Sequence, residues 1–356
     1  MSTVVGDAAG RWPMRLYRTL WLFASLISFG PSSAAFPASQ AEEQLLIAYG
    51  SVSETSVPLW LGIERGFFKK QGIGARMVQV SGGPLIMAAL ASGDVQVASA
   101  AVSSVLSAAS GGLKISCVAS PNSKILRNLM VRPEIRGLAE LRDKVFGVQS
   151  IGGGNWLQTM IVLDHLGLDP DRHQLKLRVI GNEATIAQAL MKKNIDAAVL
   201  TYSFSETLKR AGFRSLADAG EFGVPFHSGV ICAQRDVIAS SPELILRLLK
   251  GVIEAVTFIH DPRNMQDVME SLKKHLRLSR TEDAEASYKL LRLMTTVDIG
   301  PNPEAFKSAQ KILLRLNPKI GQVELERIVD GSLVRSLEES GFLPQMRKRM
   351  GSYLRP

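Results

Sequence analysis

The 356-residue sequence contains only two cysteines, Cys117 and Cys232, and five histidines. Two cysteines are too few for a disulfide-built scaffold or a cysteine-rich metal site. The histidines are spread without the spacing of metal ligands, so we predict neither a metal nor a cofactor. The sequence also lacks the H-E-x-x-H, C-x-x-C and G-x-S-x-G motifs and a glycine-rich phosphate loop with lysine. These absences argue against the enzymes built on such motifs.

Charge of one sign is not concentrated in any segment of the sequence. The formal net charge is +9, but the lysines and arginines are scattered, and many alternate with glutamate near the C-terminus. A nucleic-acid surface needs a concentrated basic stripe and a recognisable module, so we predict no nucleic-acid partner. Hydrophobic residues at 46% and charged residues at 21% are typical of a globular protein, and the length suits two lobes.

The first 35 residues form a segment of different character. Three arginines precede a short apolar run, Leu20–Phe29, and small residues then lead to Ala35. This pattern predicts a signal peptide over residues 1–35 that is cleaved after Ala35, and hence a periplasmic protein. The apolar run is about half of the roughly 20 residues that a spanning helix needs. An uncleaved anchor and a start at Met14 are the alternatives.

Short apolar runs alternate with helical runs from residue 45 to about residue 216. The predicted buried strands are Leu45–Tyr49, Ala75–Val80, Val95–Ser99, Lys114–Ala119, Val145–Gln149, Leu175–Ile180 and Ala197–Leu200. The predicted helices are Pro58–Lys70, Leu85–Ser92, Val102–Ser110, Trp156–Leu166 and Ala184–Lys193. This alternation predicts α/β lobes with mostly parallel sheets. A last strand, Gly229–Ala233, precedes a helical segment that begins at Pro242.

Small polar residues follow the predicted strands at their carboxyl ends. Ligands of open α/β sheets bind at that edge, and helix N-termini there favour a carboxylate, a sulfonate or a similar oxyanion. Ordinary caps and turns explain any one such segment, whereas five converging segments favour binding. The predicted ligand-binding residues are Ser51, Ser53, Glu54, Ser81, Gly82, Ser99, Ala100, Ser150, Gly152, Gly153, Asn155, Thr201 and Tyr202.

Glu54 is the one acidic side chain in this set. If it faces the cleft, it favours a ligand with an amine opposite the anionic group. If it faces solvent, it is only a charge at a helix start. Tyr202 could stack on a ring of the ligand or simply pack between the lobes.

Three spaced motifs occur in the order found in a known family. They are Pro58–Gly72 (PLWLGIERGFFKKQG), Ile86–Val97 with its internal A-S-G-D, and Gly137–Val148. The region from about Leu45 to Ala233 resembles the nitrate-, sulfonate- and taurine-type (SsuA/THI5-like) solute-binding proteins of bacterial ABC importers. The resemblance implies an α/β protein with the type II periplasmic-binding-protein fold. Its two lobes would be joined by a two-strand hinge and completed by a helical C-terminal segment.

The resemblance also implies domain limits and a function. The first lobe would comprise residues 45–119 plus 229–356, and the second lobe residues 120–228. The expected function is capture of a small anionic or zwitterionic organic solute of the sulfonate, nitrate or bicarbonate, or pyrimidine class. A monomer would hand this solute to an ABC permease in the inner membrane.

Two other functions stay open at this point. One is an exported or anabolic enzyme on the same fold, of the pyrimidine or menaquinone-pathway type, and the other is a sensor domain. The spacings Ser271-x-x-Lys274 and Ser308-x-x-Lys311 match S-x-x-K, but they lack the partner motifs of serine enzymes. We interpret both as chance matches and predict that the protein is not an enzyme.

Cys117 and Cys232 fall in the two predicted hinge strands. If these strands run side by side, the cysteines could form a disulfide, provided that their Cα atoms lie within about 7 Å. The alternative is two small buried residues at unrelated depths.

Overall fold

The computed structural model describes residues 42–50, 52–80 and 82–353. The predicted signal peptide, Ser51 and Ser81 lie outside these described residues. Within the described ranges, we find no helix with the length and apolar character needed to span a bilayer.

The strands of the described chain form two five-stranded sheets. In chain order they are β1 (Glu43–Tyr49), β2 (Ile73–Gln79), β3 (Val97–Ala100), β4 (Ile115–Asn122), β5 (Arg127–Val131), β6 (Val145–Val148), β7 (Lys176–Val179), β8 (Ala197–Thr201), β9 (Arg214–Asp218) and β10 (Gly229–Gln234). The first sheet has the order β2-β1-β3-β10-β4, and the second has the order β7-β6-β8-β5-β9. We call each sheet with the helices packed on it a lobe.

The two sheets follow the same plan. In the first sheet, β1 runs parallel to β2 and β3, whereas β10 is antiparallel to both β3 and β4. In the second sheet, β6 runs parallel to β7 and β8, whereas β5 is antiparallel to both β8 and β9. The parallel strands of each sheet therefore end at one common edge, as the alternation of strands and helices predicts.

Fifteen α-helices connect and cover the sheets in the described residues. They are α1 (Val57–Glu64), α2 (Phe67–Lys70), α3 (Gly83–Ser92), α4 (Val102–Ser110), α5 (Gly154–His165), α6 (Glu183–Met191), α7 (Tyr202–Arg210), α8 (Arg235–Ser240), α9 (Pro242–His260), α10 (Met265–Leu276), α11 (Thr281–Met294), α12 (Pro303–Leu313), α13 (Leu325–Ile328), α14 (Ser332–Glu339) and α15 (Phe342–Tyr353). Short 3₁₀ turns occur at Glu54–Ser56, Leu138–Leu141, Ala219–Glu221, Pro262–Asn264 and Pro318–Gln322.

Helix α9 forms the centre of the helical layer on the first lobe. Its predicted apolar stripe, Leu244, Leu248, Val252 and Val256, is buried, and the helix packs against α1, α2, α14 and α15. A stripe at this spacing presents one face of the helix to the core, which explains the burial of α9. The helices after it frame the cleft: α11 contacts α7 and the 3₁₀ turn at Glu54–Ser56, and α12 contacts α5.

Several element predictions are wrong in detail. The strands β2 and β7 were expected to be buried, but both are edge strands, and only Ile73 of β2 and no residue of β7 is buried. Strands β5 and β9 were not predicted. The predicted helix Pro58–Lys70 is two helices, because the chain turns at Gly66, whose φ of 70° is a left-handed conformation that suits glycine. The residue limits of the two lobes stay predictions.

Candidate functional site

A cavity of about 190 Å³ lies between the two lobes, where the carboxyl ends of their parallel strands face each other. It is smaller than the pockets of about 300 Å³ or more that take drug-sized ligands. Residues at or just after the carboxyl ends of β1, β2, β3, β6 and β8 all contribute to its wall. Of the predicted ligand-binding residues, the cavity wall includes Ser53, Glu54, Gly82, Ser99, Ala100, Ser150, Gly153, Asn155 and Thr201.

Two predicted residues do not line the cavity. Gly152 lies in the turn before α5 with a φ of 76°, beside a methyl group of Leu316. Tyr202 stands behind the wall, since its ring packs on the apolar cluster Leu126, Leu290 and Met294, whose members do line the cavity. Its hydroxyl donates to the carboxylate of Asp218. Burial and this hydrogen bond raise the pKa of Tyr202, so the phenol supports the cleft as a neutral group.

Four helices point their N-termini at the cavity. The N-cap residues of α3, α4, α5 and α7 are Gly82, Ala101, Gly153 and Thr201, and all four line the wall. In these described helices the N-cap side chain accepts no capping hydrogen bond. The first backbone N–H groups of a helix have no acceptor within the helix, and the macrodipole adds a partial positive charge there. The cleft therefore concentrates donors suited to an anion.

Asn155 holds one wall of the cleft in place. Its side-chain oxygen accepts from the backbone N–H of Gln149 at 3.1 Å, and its side-chain nitrogen donates to the carbonyl of Val199 at 3.1 Å. These bonds join the start of α5 to the end of β6 and to β8. Asn155 thus positions the N-terminus of α5 as well as lining the cavity.

Arg127 is the cation of the cavity wall, and the sequence reasoning missed it. Its guanidinium pairs with the carboxylate of Glu183, with 2.6 Å between Nη1 and Oε1, and its Nε donates to the side chain of Gln158. The Arg127 and Glu183 side chains are only 11% and 15% exposed. The second carboxylate oxygen of Glu183 accepts from the backbone N–H of Thr201 at 3.2 Å. Arg127 is therefore held rigidly at the cavity wall.

Glu54 faces the cleft and is buried, with 6% of its surface exposed. Its Oε1 accepts from the hydroxyl of Ser203 at 2.8 Å and from that of Ser287 at 3.1 Å. Ser203 lies on α7 of the second lobe, so the first of these bonds crosses the cleft. The sequence left open whether Glu54 faces the cleft or solvent, and in the structure it faces the cleft.

The comparisons with known proteins agree with this architecture. Residues 54–264 match the family described as NMT1/THI5 like. The chain belongs to this family. A Brucella abortus (strain 2308) protein named as a candidate binding protein is 26% identical over 246 residues, which are 68% of this chain and 73% of that protein.

Solved structures show the same fold at low sequence identity. The periplasmic aliphatic sulphonate binding protein SsuA from Escherichia coli has a TM-score of 0.66 at 20% identity, over 81% of this chain and 92% of that one. The periplasmic nitrate-binding protein NrtA from Synechocystis PCC 6803 has a TM-score of 0.70 at 12% identity, over 86% and 90% of the two chains. This likeness confirms the predicted fold, that of periplasmic binding proteins.

Proposed function

We propose that the protein captures a small anionic or zwitterionic organic solute in the cleft and delivers it to an ABC permease. The observation that carries this proposal is the convergence of four helix N-termini and Arg127 on one small cavity. Backbone donors, helix dipoles and a guanidinium all stabilise the same kind of group, a planar or tetrahedral oxyanion.

The charges on the wall favour a zwitterion over a simple anion. Glu183 already neutralises Arg127 at 2.6 Å, whereas the hydrogen bonds to Glu54 come from two neutral hydroxyl groups. Among the residues that the structure describes, no cation pairs with Glu54, and a buried carboxylate in this position favours a ligand that supplies one. A solute with an oxyanion at one end and an ammonium group at the other could bind the helix N-termini and Arg127 through the oxyanion and Glu54 through the ammonium group.

Closure of the lobes provides the mechanism of capture. The Glu54–Ser203 bond spans the cleft at 2.8 Å, and both lobes line the cavity. A solute that contacts both lobes stabilises the closed arrangement by its differential affinity, without any chemical step. The fold and the relatives' names support a periplasmic location and a permease partner for this closed form.

A matched series of solutes tests the proposal by thermal shift and calorimetry. We expect 2-aminoethanesulfonate to stabilise the protein more than ethanesulfonate, nitrate or bicarbonate does. Pyrimidines are tested in the same series as a further class of solute. A ligand at 100 times its Kd stabilises the folded state by about 2.7 kcal/mol. Turnover of any of these compounds, or the absence of binding by all of them, would overturn the proposal in favour of an enzyme or a sensor.

The cation of the wall is tested by Arg127→Lys, which keeps the charge but loses the planar fork. We expect sulfonate binding to weaken at least about tenfold, which is roughly 1.4 kcal/mol. Arg280→Lys is the matched control, because the Arg280 side chain is 59% exposed and does not line the cavity. Equal affinity in both variants would remove Arg127 from the site.

The carboxylate of the wall is tested by Glu54→Gln, which keeps the size and most hydrogen bonds of the side chain. Binding of 2-aminoethanesulfonate should weaken about tenfold, or roughly 1.4 kcal/mol, while binding of ethanesulfonate should change little. Glu304→Gln, at a side chain that is 61% exposed, should leave both affinities unchanged. Parallel losses for both solutes would show that Glu54 does not sense the amine.

A further inference from the structure

Cys117 and Cys232 lie directly opposite each other on adjacent antiparallel strands. In the register of β4 and β10 they are partners, and both side chains are fully buried in one hydrophobic cluster. They share one face of the sheet, whereas their neighbours Val118 and Ile231 belong to the cluster on the other face. The alternative of two cysteines at unrelated depths is therefore wrong.

The hydrogen-bond pattern shows which kind of pair they form. The backbone N–H of Arg235 donates to the carbonyl of Lys114 at 2.9 Å, so these two residues form a hydrogen-bonded pair. Hydrogen-bonded and non-hydrogen-bonded pairs alternate along an antiparallel ladder, which makes Cys117 and Cys232 a non-hydrogen-bonded pair. In agreement, the carbonyl of Cys117 accepts from Asp330 on its other side, at 2.9 Å.

A non-hydrogen-bonded pair brings two side chains within disulfide range. Its Cα atoms lie about 4.5 Å apart and its side chains are closer than in the other type of pair. Disulfides need a Cα separation of about 4.4–6.8 Å. The sequence contains no third cysteine that could compete.

We propose that Cys117 and Cys232 are the site of an intramolecular disulfide that forms as β10 inserts between β3 and β4. The proposal concerns a covalent bond outside the cleft and goes beyond solute capture. It draws on the proposed export only for the oxidising compartment in which such bonds persist.

The oxidant required is a disulfide, on a protein or a small molecule. One cysteine thiolate attacks a sulfur of that disulfide, which breaks its S–S bond, and one oxidant thiolate leaves and takes up a proton. The second cysteine loses its proton and attacks the mixed disulfide, which expels the other oxidant thiol. Two cysteine thiols thus lose two electrons and two protons, and the oxidant becomes two thiols.

Burial sets the time at which this exchange takes place. In the folded protein, burial and the neighbouring Cys232 thiol raise the pKa of the Cys117 thiol well above its usual range. The thiol of Cys232 donates to the carbonyl of Ala98 at 3.5 Å. A buried neutral thiol reacts slowly, so exchange belongs to folding, before the sheet closes.

The bond would close a loop that contains the whole second sheet. Strands β5 to β9 all lie between residues 117 and 232. A disulfide that closes a long loop stabilises mainly by restricting the unfolded chain. It would also tie together the two strands through which the chain leaves and re-enters the first lobe.

Thiol counting on the wild-type protein tests the proposal without any variant. The protein is refolded from denaturant with oxidised and reduced glutathione, quenched with acid, unfolded again and treated with N-ethylmaleimide. We expect a mass two hydrogen atoms below that of the reduced chain and no maleimide adduct. Two maleimide adducts, or stable glutathione adducts, would overturn the proposal.

Thermal denaturation gives the second readout. The oxidised protein should melt about 5 °C or more above the same protein treated with reductant. The Cys117→Ala/Cys232→Ala variant should melt at one temperature with and without reductant. A reductant effect of equal size in that variant would contradict the proposal, and neither result depends on which solute the cleft binds.

Discussion

Gly154 is the first residue of α5 and meets Ala101, the N-cap of α4, across the cleft. A Cβ placed on Gly154 would lie 3.1 Å from the Cβ of Ala101, which is closer than ordinary van der Waals contact. The missing side chain therefore allows the two helix N-termini to approach each other, as the proposed binding of one anion between them requires.

Gly154→Ala should oppose closure while leaving each lobe intact. We expect solute affinity to fall several-fold, because the added methyl group pushes α4 and α5 apart in the closed state only. Calorimetry measures the loss. Gly351→Ala is the control: Gly351 lies in helix α15 with open space around its Cα. This variant should gain up to about 1 kcal/mol of stability from helix propensity and keep full affinity.

At the scale of elements, helix α10 is fastened to the end of α1 through one carboxylate. Glu64 accepts from the hydroxyl of Ser271 at 2.7 Å, from Lys274 Nζ at 2.6 Å and from His275 Nε2 at 2.9 Å. The His275 ring stacks on Trp60 with 4.2 Å between centroids. The Ser271-x-x-Lys274 spacing, interpreted from the sequence as chance, thus makes a contact between helices.

Glu64→Gln should loosen this contact. The amide keeps part of the hydrogen bonding but loses the charge that Lys274 pairs with, so we expect a loss of about 1–2 kcal/mol in the free energy of unfolding. Urea denaturation measures it. Glu304→Gln, which breaks only an exposed pair with Lys307, should leave the midpoint unchanged. Equal midpoint shifts in the two variants would show that the Glu64 contacts contribute no more than an exposed ion pair.

The wrong burial predictions for strands β2 and β7 share a physical cause. Whether a strand lies at an edge depends on which partner it finds, and its own residues do not specify that partner. Val78 of β2 and Val179 of β7 are 36% and 56% exposed at such edges, although their apolar runs predicted burial. Strand β9 (RSLAD) is another edge strand with a weak apolar signal.

The predicted site residues are those at which the chain passes directly from a strand into a helix. Arg127 was missed because it begins a strand instead of ending one. Since β5 is antiparallel to β8, the first residue of β5 pairs with Thr201 at the end of β8, and so reaches the same edge of the sheet. Gln158 lies one turn into α5, and Glu183 is the first residue of α6. They come together at Arg127 only when the lobe is assembled.

At the scale of the whole molecule, His227 joins the segment that returns from the second lobe to helix α12. Its Nε2 accepts from the backbone N–H of Asn302 at 2.7 Å, and its ring meets Phe306 edge-on. Burial lowers the pKa of His227 to about 4, from an ordinary value of 6.5. The folded protein therefore holds this residue neutral.

Stability should depend on pH through this histidine. In the unfolded chain His227 takes up a proton near pH 6.5, whereas the folded protein takes it up only near pH 4. The free energy of unfolding should thus be level above about pH 7 and fall by about 3 kcal/mol as the pH drops through 6.5 to 4. Urea titrations between pH 7.5 and 4.5 measure this slope.

The variant His227→Asn, whose amide oxygen can still accept from Asn302, should flatten the slope. His260 is a second buried histidine, and burial lowers its pKa as well. The companion variant His260→Asn removes the contribution of His260 to the pH dependence of stability. An unchanged slope in His227→Asn would assign the pH dependence to other groups.

Strand β10 lies inside the first sheet, between β3 and β4, although it is the last strand of the described residues. Its partners β3 and β4 end at Ala100 and Asn122, more than 100 residues before β10 begins at Gly229. The ribosome therefore has to make all five strands of the second sheet before the first sheet can gain β10. Contacts that are so distant along the chain slow folding. The edges of β3 and β4 that receive β10 stay unpaired until Gly229–Gln234 has been made. In the exported protein that we propose, this delay would keep the nascent chain in a form that a translocation channel can thread.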